Sequence, residues 1–187
     1  MKRRPIEKKD YEKRYQSARW DIMLLIALTV INLGIMLFGD NVRYVSAAAI
    51  PLSLIALGKI MCGKMDNSFY VGQYAGIEFL EDGFYIGMIF AAIAIIGIYL
   101  LLWFLAKKYN VALIIAGALI IADTVCMPFV YPTFTIDLFF DYAIHALMII
   151  MIAMGVHAGF RLKKIIADEE AFKATLTTHR DQFANRR

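Results

Sequence analysis

Asp137, Asp141 and His145 stand at four-residue intervals in "TIDLFFDYAIHALMII" (135–150), an otherwise apolar stretch. In a helix this spacing puts all three on one stripe, each about 6 Å further along the axis than the last. Asp137 and His145 are then about 12 Å apart, too far to share one ion, whereas Asp141 and His145 are close enough. Paired side chains at i, i+4 hold zinc in helical metalloenzyme sites. Asp123, in the preceding apolar stretch, supplies a third candidate ligand and would leave a position open for water. The candidate metal ligands are therefore Asp123, Asp141 and His145. No HExxH or comparable signature accompanies them, so the spacing selects no particular metal or cofactor.

Three chemistries suit these residues. One is a structural polar network in which His145 bonds to Asp123 or Asn32. Another is a site for a proton, a small cation or a cationic ligand in a transporter, channel or sensor component. The third is metal-assisted or acid–base catalysis in a membrane enzyme. Ionisable groups within a bilayer are costly, turn toward the protein interior and mark pathways or ligand sites. No serine–histidine nucleophile motif, phosphate loop or second carboxylate–histidine set is present. The expectation is therefore a non-enzymatic protein that binds a small cation or cationic ligand through Asp123, Asp141, His145, Asn32 and Asp137. The alternatives are a partner-dependent membrane subunit with a purely structural cluster, and a metal-dependent enzyme.

The elements that position these residues follow from composition. Of 187 residues, 60% are hydrophobic, against roughly 45–50% in soluble domains. A bilayer-spanning helix needs about 20 mostly apolar residues, and the runs 22–38, 84–106, 111–131 and 136–160 meet or approach that length. The expected fold is a single all-α integral membrane domain, 1–187, of four transmembrane helices. A short link around Pro132 joins the last two as an antiparallel hairpin. The layout resembles that of many small bacterial inner-membrane proteins, which implies a location and no activity. The basic N-terminus before an apolar run resembles a signal peptide superficially, but Glu7, Asp10 and Glu12 dilute it, and an uncleaved first span is expected.

Segment 44–62, "YVSAAAIPLSLIALGKIMC", is the difficult one, since Pro51, Ser46, Ser53 and Lys59 interrupt it. Charge decides between topologies. The net charge of +4 sits largely at the ends, in the arm 1–20 and the tail 161–187, with Lys107 and Lys108 between spans. Cytoplasmic flanks carry such an excess. Four spans place all three basic clusters on the cytoplasmic side and leave residues 65–82, with four carboxylates and no Lys or Arg, outside. Segment 44–62 is then re-entrant or surface-lying. Five spans would put two of the basic clusters outside.

Residue counts from the outer helix ends put Asn32, Asp123 and His145 at similar depth, each about six to nine residues in. "NSFYVGQY" (67–74) fits either an interfacial aromatic belt or a lid, with Tyr70 and Tyr74 over an outer cavity. Gly83/Gly87 and Gly155/Gly159 form GxxxG motifs, and Ala91, Ala94 and Gly97 add small positions, all of which suit close helix packing. Cys62 and Cys126 match no CxxC or zinc spacing. The amphipathic, basic ends suit anionic lipid headgroups. Topology accounts for their charge, so the expected partners are the bilayer and a membrane protein or second copy, not nucleic acid.

Overall fold

The computed structural model describes residues 8–38, 47–65, 70, 78–130 and 136–184, except for the side chains at 129–130, 137 and 177–184. Five helices and no strands occur among these residues: α1 (Lys8–Phe38), α2 (Ala49–Met61), α3 (Asp82–Leu105), α4 (Asn110–Val130) and α5 (Ile136–Ala184). Four of them, α1, α3, α4 and α5, are long and apolar enough to cross a membrane. The 13-residue α2 is not. At 1.5 Å per residue it is only about 20 Å long, against a hydrocarbon core of about 30 Å.

Two helices outrun their apolar stretches. The amphipathic arm and first apolar run form one continuous α1 of 31 residues. The fourth run continues through the charged tail as a 49-residue α5. Both extensions are rich in Lys, Arg, Glu and Ala, which favour helix, and neither contains a proline or glycine to stop it.

The four long helices alternate in direction. At one end of the bundle, hereafter the tail end, the α1 start, the α3–α4 turn and the departing α5 meet. Trp20 and Trp103 lie 6.4 Å apart there. Tyr15 donates to the Ala106 carbonyl at 2.8 Å, and Asn110 donates to that of Val156 at 3.2 Å. Lys8 reaches Glu169 at 2.7 Å on the solvated extension. The pair is about half exposed, where such bridges contribute roughly 0–1 kcal/mol.

The interior holds Ile22, Leu25, Leu113, Ile120 and Ile152 together with Thr29, Asn32, Asp123, Asp141 and His145, all buried. Outward positions such as Phe90, Leu101, Val111 and Leu147 are apolar and exposed. This arrangement, polar groups inside and hydrocarbon outside, reverses that of a water-soluble bundle.

The two GxxxG motifs behave differently. A Cβ at Gly155 would overlap the Cβ of Ala18, and one at Gly159 would lie 2.5 Å from Asn110 Oδ1 and 2.8 Å from the Tyr15 ring, so this pair lets α5 press on α1 and the α4 start. At Gly83, Gly87 and Gly97 a Cβ would meet nothing within 4 Å. The expectation for those three is corrected: they face outward, and α3 packs through Ala92, Tyr99 and Leu102 instead. Ala92 is buried, whereas Ala94 is exposed and Ala91 only partly covered.

Candidate functional site

A polar knot surrounds the first turn of α2. The first four N–H groups of any helix lack partners within it, and Ala48, which occupies the cap position, has no side chain able to supply one. Two other elements do so. Ala48 N–H donates to Thr29 Oγ1 of α1 at 2.9 Å. Ala49 N–H and Ile50 N–H donate to the two carboxylate oxygens of Asp123 on α4, each at 2.8 Å. The fourth position is Pro51, which has no N–H. The accounting closes with no orphan donor. Pro51, whose presence argues against an uninterrupted span, is well placed in a first turn.

Asp123 therefore acts as an N-cap supplied by another helix. Its negative charge faces the positive end of the α2 dipole, and both oxygens accept charge-assisted bonds. The carboxylate is 1% exposed. Burial of that kind is tolerable only with such partners.

His145 of α5 completes the knot. Its ring is fully buried, and Nδ1 lies 2.9 Å from the backbone carbonyl of Asp141. A carbonyl oxygen can only accept, so Nδ1 carries a hydrogen. A neutral ring would then turn the Nε2 lone pair toward Asp123 Oδ2, 3.4 Å away. No hydrogen-bond partner satisfies Nε2 in this arrangement. Two acceptors facing each other in a buried site repel, and one proton between them turns the contact into an attraction. Because both Asp123 oxygens already accept from amides, a proton shared by the two groups would sit on the ring.

The structure thus brings Asp123 and His145 together. Asp141, 3% exposed, is tied to His145 through its backbone carbonyl. Asn32 is buried on α1, and its Nδ2 donates to the Leu28 carbonyl at 2.8 Å within its own helix. Asp137 lies in the first turn of α5, and its side chain is outside the described residues. Among the described residues, no group of three His, Cys, Asp or Glu side chains could hold a metal ion. Cys62 and Cys126 are free thiols.

Thr29 is the member that the sequence hides. Its hydroxyl donates to the Leu25 carbonyl at 2.7 Å while accepting from Ala48. Threonine in apolar helices makes the first bond routinely. Only the arrival of α2 gives it the second, and no sequence signal announces that.

The far end of α2 is equally well held. Gly63 adopts φ 66°, a left-handed conformation suited to glycine. Lys64 N–H returns to Lys59 O at 2.8 Å and Gly63 N–H to Ile60 O at 3.4 Å, a Schellman stop. Tyr70 of the expected aromatic segment places its hydroxyl 3.2 Å from Lys59 O and 3.1 Å from Ile60 O. Tyr74 and most of 67–74 lie outside the described residues. Lys64 pairs with Asp82 at 2.8 Å, and this hydrogen bond raises the lysine pKa above its ordinary value. The α2 C-terminus therefore sits beside the α3 start, while its N-terminus lies at the depth of Thr29 and Asp123. No protein-family model, curated protein or solved structure matches this chain.

Proposed function

We propose that this chain is a four-span membrane protein with both ends cytoplasmic, and that its buried polar site takes up a small cation from the external side. The cation that fits best is a proton, held between Asp123 and His145. One observation carries this reading: Nε2 of a fully buried ring faces a carboxylate oxygen at 3.4 Å without a hydrogen-bond partner. In this reading α2 is a re-entrant helix whose N-terminus rests on the protonatable pair. Gain or loss of the proton then alters the charge that holds α2, which suits a proton-coupled transporter or a sensor component. Asp141 on α5 is a further buried titratable group near the pair.

The orientation rests on charge. Lys8, Lys9, Lys13 and Arg14, then Lys107 and Lys108, then Arg161, Lys163 and Lys164 all fall at the tail end of the bundle. Reporter fusions after Asn110 and at the C-terminus should both read cytoplasmic; an external C-terminus would refute the four-span topology.

A second reading has its own support, because both Asp123 oxygens are occupied by α2 amides. On that reading the cluster is a latch in a partner-dependent subunit. Thermal stability of the purified protein, followed across pH, separates the two. The proton reading requires a pH transition that both Asp123→Asn and His145→Gln remove; a latch alone gives less stable variants with an unchanged profile. Stabilisation by zinc or an organic cation, lost in the same variants, would replace the proton with that ion.

A further inference from the structure

A second site lies at the opposite end of the bundle. Between the α3–α4 turn and α5 there is an open cleft of about 470 Å³, within the usual size range of small-molecule sites. Its lining includes Lys107, Lys108 and Lys163, and no Asp or Glu. Aromatic faces position two of the lysines. The Lys107 ammonium lies 5.0 Å from the Trp103 ring centre and 4.8 Å from that of Phe104, and Lys108 lies 5.4 Å from that of Tyr109. Such cation–π seats hold an ammonium at a rim without neutralising it. Asn110 and Val111 also line the cleft and begin the 21-residue α4, whose dipole places its positive end there.

We propose that this cleft binds the phosphate of an anionic phospholipid headgroup. The inference rests on the membrane reading above, but not on the proton site. Positive charge from the turn, from α5 and from a helix N-terminus converges with no opposing carboxylate in the lining. A free phosphate would satisfy the charge yet leave the apolar walls in water. Val111 and Phe160 are 62% and 56% exposed on those walls, and the glycerol and acyl parts of a lipid would cover them. The cleft also lies where α5 passes from an apolar to a basic sequence, at Phe160 and Arg161, the level at which headgroups sit.

The test uses the full chain in neutral detergent, with thermal stabilisation titrated by short-chain phosphatidylglycerol, by phosphatidylcholine and by inorganic phosphate. Phosphatidylglycerol should stabilise the wild type and phosphatidylcholine should not. Replacing Lys107, Lys108 and Lys163 together with alanine should weaken the phosphatidylglycerol response roughly tenfold or more. A control of equal charge change, Lys9→Ala with Lys13→Ala and Lys164→Ala, should weaken it less than about threefold, because those lysines do not line the cleft. Equal losses in the two triple variants would overturn the proposal in favour of diffuse surface charge. Stabilisation by inorganic phosphate at the same or lower concentration would overturn the lipid assignment. All six lysines are exposed, so both variants should melt as the wild type does without lipid. A response to phosphatidylcholine equal to that of phosphatidylglycerol would also refute headgroup selection.

Discussion

Replacing Asp123 with asparagine should cost about 3–5 kcal/mol of folding stability, the range for removing one partner from a buried charged pair. The change is nearly isosteric, so packing contributes little. One oxygen remains to accept from α2, while the new NH₂ must face either a backbone N–H or the imidazole. A charge-assisted bond is lost, worth about 1.5–3 kcal/mol, and in the proton reading the imidazolium loses its counter-charge. Thr29→Val should act in the same direction on the same helix end, by about 1–3 kcal/mol, since it strands Ala48 N–H while leaving volume almost unchanged. Thr29→Ser should retain most of the stability. Reversible denaturant unfolding in mixed micelles measures all three. Losses below about 1 kcal/mol for Asp123→Asn would mean that α2 does not depend on this carboxylate.

Gly155→Ala should be the most costly addition of a single methyl group along the α1–α5 seam. The new Cβ would overlap that of Ala18 and approach Leu113 Cδ2 to 3.3 Å. Backbone on both sides fixes the contact, so a helix must move. About 3 kcal/mol is expected, the upper part of the overpacking range. Ala18→Gly in the same chain should recover more than about 1 kcal/mol, because the two sites share one contact. Gly83→Ala and Gly87→Ala should change stability by no more than about 0.5 kcal/mol in the destabilising direction, and alanine's better helix propensity should make them neutral or helpful. If the four variants were indistinguishable, the close α1–α5 approach at Gly155 would be refuted.

That contrast shows where sequence reasoning stops. Both GxxxG motifs carry the same signal, yet one faces a partner helix and the other faces outward, and nothing local to "DGFYIG" or "MGVHAG" says which. The four long apolar helices were legible because run length is a one-dimensional property. Pro51, Lys59 and the charge balance set 44–62 apart from the four runs, and its helix Ala49–Met61 has only 13 residues. Counting residues from the helix ends placed Asp123 and His145 at one depth, and they meet at 3.4 Å. What counting could not supply was azimuth and partner. The sequence offers Asp123 as a candidate ligand, but its oxygens are directed at α2 amides, whose position depends on how α2 packs against α1 and α4. Spacing pairs His145 with the Asp141 side chain, whereas the ring bonds to the Asp141 backbone. Thr29, an inconspicuous residue in an apolar run, became part of the site only through tertiary placement.

The most direct test of the account is ¹⁵N NMR of the His145 ring in the purified protein across pH. Nδ1 should stay protonated throughout, bonded to the Asp141 carbonyl, and Nε2 should gain and lose a proton in one titration that changes in Asp123→Asn. Labelling of a cysteine placed at Ile50, in a chain with Cys62 and Cys126 replaced by serine, should change over the same pH interval if the proton governs the hold on α2. A neutral ring protonated only at Nε2, or a ring that never titrates while α2 labelling stays constant, would contradict the central claim.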